Sequence, residues 1–228
     1  MKPYLLAELA LHGEGRLAYY QDIVTEIARS WTGWPPIMIK TQSWFETDSP
    51  WYRRVLEQHG RPPLPSLCGL DHTQLKRWCN GLGFPYAVTM HDLKSFELAE
   101  CDYVKLGSFD LTRPELRDAA MTCGKVIVSE GLTYLAVPGW AERRLQCVSK
   151  YPANIGYSGS AGGYSCHSVL GLAEQHVLAA APHCHTIEVH VTARPVTARP
   201  QPSDMPVSLS VEQFVALSKE VGKLWRAE

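Results

Sequence analysis

No stretch of this 228-residue chain is long and apolar enough to span a bilayer, and the apolar run near Met1 is too short for a secretory signal. A membrane protein is excluded on this reading, and a cytoplasmic one is expected. Paired CxxC spacing is also missing. The seven cysteines, at 68, 79, 101, 123, 147, 166 and 184, are odd in number, which argues against both a disulfide framework and a structural zinc knuckle. Neither charge sign is in excess: the formal net charge is −1, so there is no broad electrostatic footprint and nucleic acid is not an expected partner. Internal repeats and low-complexity tracts are absent as well.

What remains is an ordinary globular composition, 45% apolar and 20% charged, with enough chain for one sizeable core. Short apolar runs rich in β-branched residues alternate with helix-like segments, the pattern of parallel strands joined by crossover helices. Strands are expected at Tyr4–Leu11, Pro36–Gln42, Pro85–Met90, Tyr103–Leu106, Lys125–Ser129, Leu145–Ser149, Gly163–Ser165 and Thr186–Val191. The seventh is glycine-rich and barely apolar, so periodicity alone supports only an α/β class. Helices fit Arg16–Ser30, Asp71–Gly81, Leu93–Ala99, Arg113–Cys123, Val169–Ala180 and Val211–Trp225. Residues 43–70, rich in proline and aromatics, read as an insertion or lid after the second strand. Residues 192–208 carry four prolines without a helical period and read as an extended arm.

Strands of a parallel barrel are buried on both faces, so polar residues at their C-terminal ends are informative. Read in order, these ends give Glu8 and His12, Lys40 and Gln42, Thr89, Lys105 with Ser108, Ser129 with Glu130, Ser149 to Tyr151, Ser165 with His167, and Glu188 with His190. A lysine inside Ile37-Met38-Ile39-Lys40 is costly to bury unless something negative pairs with it. Either Lys40 and Lys105 pair with barrel carboxylates such as Glu8 or Glu188, or they hold a phosphate or carboxylate ligand beside Thr89, Ser108 and Ser129. His167 and His190 close adjacent late strands, where two imidazoles either converge on a metal ion or serve as hydrogen-bonded structural residues.

The segments Gly163-Tyr164-Ser165-Cys166-His167-Ser168 and Ile187-Glu188-Val189-His190-Val191-Thr192 resemble paired motifs of the sialic acid synthase family. Ile39-Lys40-Thr41-Gln42, Val104 to Ser108, Gly124 to Ser129 and Cys147 to Pro152 follow in the family's order. The resemblance implies a single (β/α)8 TIM barrel over residues 1–228, with an inserted loop after strand 2 and a shortened sixth crossover. It implies condensation of phosphoenolpyruvate with a sugar aldehyde, N-acetylmannosamine-like or related, to a 2-keto acid and phosphate. His167 and His190 would bind a divalent metal, Mn2+ or Mg2+. Lys40, Thr89, Lys105, Ser108, Ser129 and Ser165 would hold the donor, and Glu14, Asp110, Tyr151 and Asp204 fall where the family contacts its acceptor.

The sequence departs from the family in three places. The family's small antifreeze-like domain, which donates an arginine to the partner subunit's sugar site, has no counterpart before Glu228, so a homodimer is only an option. Leu11-His12-Gly13-Glu14-Gly15 alters the first loop, and Cys166 stands where an acidic residue or asparagine is usual. Cys166 is either a packed thiol or a soft ligand beside the metal. Two other functions stay open: a different aldol or lyase reaction on this barrel, and a non-catalytic sugar- or partner-binding barrel.

Overall fold

The computed structural model describes residues 3–60, 62–131, 139–147, 156–159, 162–169, 171–193 and 205–227. Eight parallel strands form its frame: β1 Tyr4–Glu8, β2 Ile37–Ser43, β3 Tyr86–Met90, β4 Tyr103–Leu106, β5 Val126–Glu130, β6 Arg143–Cys147, β7 Gly163–Cys166 and β8 Thr186–Thr192. Each strand pairs with the next, and β8 pairs with β1, so the sheet closes. This is the expected (β/α)8 barrel, including the glycine-rich seventh strand. A short β9, Leu209–Ser210, extends the ladder beside the upper end of β8. The extended arm expected over 192–208 therefore ends in a 3-10 turn, Met205–Val207, and a strand; residues 194–204 lie outside the described residues.

Helices α1 Leu17–Ser30, α3 Gly69–Gly81, α4 Leu93–Leu98, α5 Pro114–Met121, α6 Ala173–Ala180 and α7 Val211–Arg226 wrap the outside. The expected insertion after β2 contains a helix, α2 Pro50–His59, hidden in the sequence among prolines and aromatics. Its signals are local: the Ser49 hydroxyl accepts from Tyr52 N, Pro50 opens the first turn, and Gly60 closes it with φ 65°. Residues 132–138, 148–155 and 160–161, which make up most of the connections from β5 to β6 and from β6 to β7, lie outside the described residues, and the expected shortening of the sixth crossover falls there. No described helix is long and apolar enough to cross a membrane.

Strand alternation sorts the side chains into two cores. Outward-facing residues such as Leu5, Ile39, Val88 and Val128 join the large cluster against the helices. Inward-facing Tyr4, Leu6, Met38, Ala87, Tyr103, Ile127 and Leu145 make a separate apolar plug at the barrel floor. That plug leaves the upper half of the barrel free for polar residues.

Strand β1 stops at Glu8 rather than at Leu11 because the chain turns at once. Ala10 and Glu14 adopt left-handed conformations, φ 46° and 52°, and the Ala10 amide donates to Glu8 Oε1 at 2.5 Å. Non-glycine residues rarely hold such angles without support. Tyr20 provides it, donating its hydroxyl to Ala10 O and accepting from Gly13 N.

A buried polar chain links the barrel wall to α3. Thr41 Oγ1 lies 2.6 Å from the Tyr86 hydroxyl, which lies 2.8 Å from His72 Nδ1. Burial lowers the His72 pKa to about 4. A folded-state value below the unfolded one means the unfolded chain takes up the proton first. Stability is thus unaffected above pH 6.5 and falls between pH 6.5 and 4, by about 3 kcal/mol for this group. Urea unfolding across that range should give a shallower acid loss for His72→Gln than for the natural chain; parallel profiles would show that His72 is not the linked group.

Candidate active site

Above the apolar plug, the next inward positions are charged or hydroxylated on every strand but β6. Leu6 is followed by Glu8, Met38 by Lys40, Ala87 by Thr89, Tyr103 by Lys105 and Ile127 by Ser129. Leu145 is followed by Cys147, and Ser165 and Glu188 complete the tier from β7 and β8. All are buried.

Their contacts form one network. Lys40 is ion-paired with Glu8, donates to Thr89 Oγ1 at 2.7 Å, and lies 3.9 Å from Glu188. Lys105 holds both Glu188 oxygens, at 2.5 and 2.6 Å, and Ser165 Oγ donates to the same carboxylate at 2.7 Å. The two lysines thus answer two carboxylates, and the tier is neutral without a ligand. The carboxylate pairing that the sequence left open is the one present. Burial works to raise the Glu188 carboxyl, but Lys105 and Lys40 together hold it well below the carboxylate range. Ser108 and Ser129 lie beside the Cys147 thiol, whose pKa burial raises.

One further step along each strand gives the rim. His167 follows Ser165 just past the end of β7, His190 follows Glu188 on β8, and their rings lie 5.4 Å apart at 65°. Donor atoms of His167, His190 and Glu188 come within 4.8 Å of one another. Two imidazoles and a carboxylate suit a borderline or hard divalent ion, so the residues fit the implied metal. Glu188 had been read only as a counter-charge; its place in this group follows from its position two residues before His190.

Cys166 faces the other way. It packs in the outer cluster with Ala173 of α6, and burial raises its thiol. The packed-thiol alternative holds.

The remaining expected residues divide. Asp110, in a 3-10 turn after β4, is buried and accepts from His91 Nδ1 at 2.8 Å. A side chain at Gly107 would meet the Asp110 carboxyl at 2.9 Å, so glycine there lets the carboxylate come close. Glu14 is half-buried in the strained loop after β1. Tyr151 and Asp204 lie outside the described residues. His91 and Trp51 were missed, whereas Gln42 was read as a polar strand end: His91 lies just past β3, and extending the inward series Ala87, Thr89 by one step finds it.

A family model described as the NeuB family matches residues 66–228. The chain belongs to the NeuB family. No curated protein matches it. An N-acetylneuraminic acid synthetase from Leptospira borgpetersenii, solved with citrate, superposes with TM-score 0.76 at 22% identity, over 100% of this chain and 85% of that one. The spore coat polysaccharide biosynthesis protein spsE of Bacillus subtilis gives TM-score 0.70 at 18% identity, covering 98% and 68%. A truncated 3-deoxy-D-arabino-heptulosonate 7-phosphate synthase from Thermotoga maritima gives 0.64 at 14%, covering 99% and 87%. These likenesses establish a shared fold, and the NeuB match makes the chain sialic acid synthase-like.

Sequence reasoning alone expects Lys105→Met to leave stability unchanged or raised, because an unpaired buried ammonium would be lost. The pairing with Glu188 reverses that. Lys105→Met strands half a buried ion pair and should cost about 3–5 kcal/mol, while Lys105→Met with Glu188→Leu should regain most of it. Denaturant unfolding of the two variants measures this; a neutral single variant would mean the pair contributes nothing.

Proposed function

We propose that this NeuB-family barrel condenses phosphoenolpyruvate with a sugar aldehyde, giving a nonulosonic-type 2-keto acid and phosphate. The observation that carries the proposal is the stacking of two tiers: a buried lysine and hydroxyl set directly beneath two converging imidazoles. An enol phosphate carrying a carboxylate needs the first; an aldehyde that must become electrophilic needs the second.

In this reading Lys40, Thr89, Lys105, Ser108, Ser129 and Ser165 hold the donor's phosphate and carboxylate. The ammonium groups are already fixed by Glu8 and Glu188, so little reorganisation accompanies binding. The donor's anionic groups take over part of that pairing and bring C3 of the enol under the rim. His167 and His190 would hold Mn2+ or Mg2+, with Glu188 available as a third donor. When bound, the ion supplies Lewis acidity at the acceptor's aldehyde oxygen. Carbon–carbon bond formation from C3 is followed by water addition at C2 and release of phosphate by C–O cleavage. Glu14, Asp110, Tyr151 and Asp204 are assigned to the acceptor side, where a carboxylate moves the proton released by that water.

Manganese with phosphoenolpyruvate should raise the melting temperature more than either alone, since ligands of the folded state stabilise it by mass action. His167→Ala and His190→Ala should each abolish the manganese-dependent part while leaving the unliganded melting temperature nearly unchanged. Phosphate release on adding N-acetylmannosamine or another aldose completes the test. No shift at millimolar donor contradicts the proposal.

A further inference from the structure

A third imidazole stands at the level of His167 and His190. His91 follows Thr89 by two residues, and its amide continues the β2–β3 ladder by donating to Ser43 O, so its side chain falls on the inward face above the donor tier. Gln42 of β2, two residues above Lys40 and in register with Thr89, reaches the ring from the neighbouring strand.

Two contacts fix the ring and two more fix the backbone around it. Nδ1 is 2.8 Å from Asp110 Oδ2, and a carboxylate can only accept, so Nδ1 carries the proton. Trp51 of α2 stacks on the ring face, with centroids 4.0 Å apart and planes 12° apart. Arg113 donates to the His91 carbonyl at 2.9 Å. Asp92 grips the neighbouring backbone: its carboxylate caps α4 through Ser95 N and also accepts from Phe45 N and Glu46 N, which lead toward α2.

Two polar atoms of this arrangement have capacity to spare. His91 Nε2 lies 3.3 Å from Gln42 Oε1, longer than a normal N–H···O bond. Asp110 Oδ1 is buried in a residue only 1% exposed and has no hydrogen-bond partner among the described residues. A buried carboxylate oxygen is rarely left so unless something else fills it. The two ring nitrogens point in nearly opposite directions, so Nε2 and Oδ1 serve different ligand groups: Nε2 can take one hydroxyl, and Oδ1 accepts from a second donor.

We infer that His91, oriented by Asp110 and backed by Trp51, is a specificity-determining residue that binds one hydroxyl of the acceptor. The inference rests on the proposed condensation, because the tier argument gives the lysine level to the donor and the rim to the second substrate. Asp110 then has a double part: it positions the imidazole through Oδ2 and meets the sugar through Oδ1. Trp51 ties the inserted helix to acceptor recognition, since α2 reaches the rim through this stack.

The test uses the full-length protein with Mn2+, phosphoenolpyruvate, N-acetylmannosamine, mannose and their monodeoxy analogues. His91→Phe keeps a ring face for Trp51 and removes both nitrogens. It should raise the acceptor KM about 10- to 100-fold, the effect of one charge-assisted hydrogen bond, while leaving donor-induced stabilisation at the natural value. In the natural protein, one deoxy analogue should lose a similar factor, and His91→Phe should show no further loss with that analogue. The deoxy series on the natural protein also stands alone if His91→Phe fails to fold. An unchanged acceptor KM in His91→Phe, or full additivity with every deoxy analogue, overturns the inference while the condensation stands. Donor binding with no response to any of these sugars overturns it too. Absence of donor binding in the natural protein overturns both.

Discussion

The ion-pair network of Glu8, Lys40, Lys105 and Glu188 is the constraint on which the rest of the barrel depends. Four charges sit within a buried tier, and neither sign could be there alone: desolvation of an unpaired ion costs several kcal/mol, more than a typical fold can spare. Their neutrality lets the barrel close while empty. In the proposed function their location also decides where the donor's anionic groups go, because these exchange with a carboxylate for an ammonium. This network binds β1, β2, β4 and β8, so the side chains that the proposed function gives to the donor also tie the barrel closed.

Function follows from the period-2 geometry of strands stacked in tiers. The apolar plug of Leu6, Met38, Ala87, Tyr103, Ile127 and Leu145 seals the floor. Charges and hydroxyls fill the middle, and imidazoles with Gln42 line the rim. Each tier is one residue pair above the last, so moving up the barrel moves along the order in which two substrates would be stacked. Elements outside the barrel then shape the rim, with α2 delivering Trp51 to His91 and the turn after β4 delivering Asp110.

Much of this was legible in the sequence, because alternation is a local property. The polar positions Lys40, Thr89, Lys105, Ser129, Ser165 and Glu188 follow from reading strand ends, and seven of the eight strands from their apolar runs. The pairing of Lys105 with Glu188 was only one of two options, since the residues are 83 positions apart and only barrel closure brings them together. Helix α2 was obscured because its capping residues, Ser49, Pro50 and Gly60, also read as turn residues. His91 was passed over because the strand reading ended at Met90, while Asp92 already signalled the next helix cap. Strand β1 was read three residues too long because Leu9 and Leu11 are apolar, yet both belong to a turn held by Tyr20 and Glu8.

The central claim is that the donor's anionic groups exchange for carboxylates on Lys40 and Lys105. A crystal structure with phosphoenolpyruvate and manganese measures it directly. The account predicts donor oxygens within hydrogen-bond distance of both lysine Nζ atoms, with at least one of the Lys40–Glu8 and Lys105–Glu188 pairs lengthened. A donor bound elsewhere, with both ion pairs closed as they are in the unliganded barrel, would contradict it.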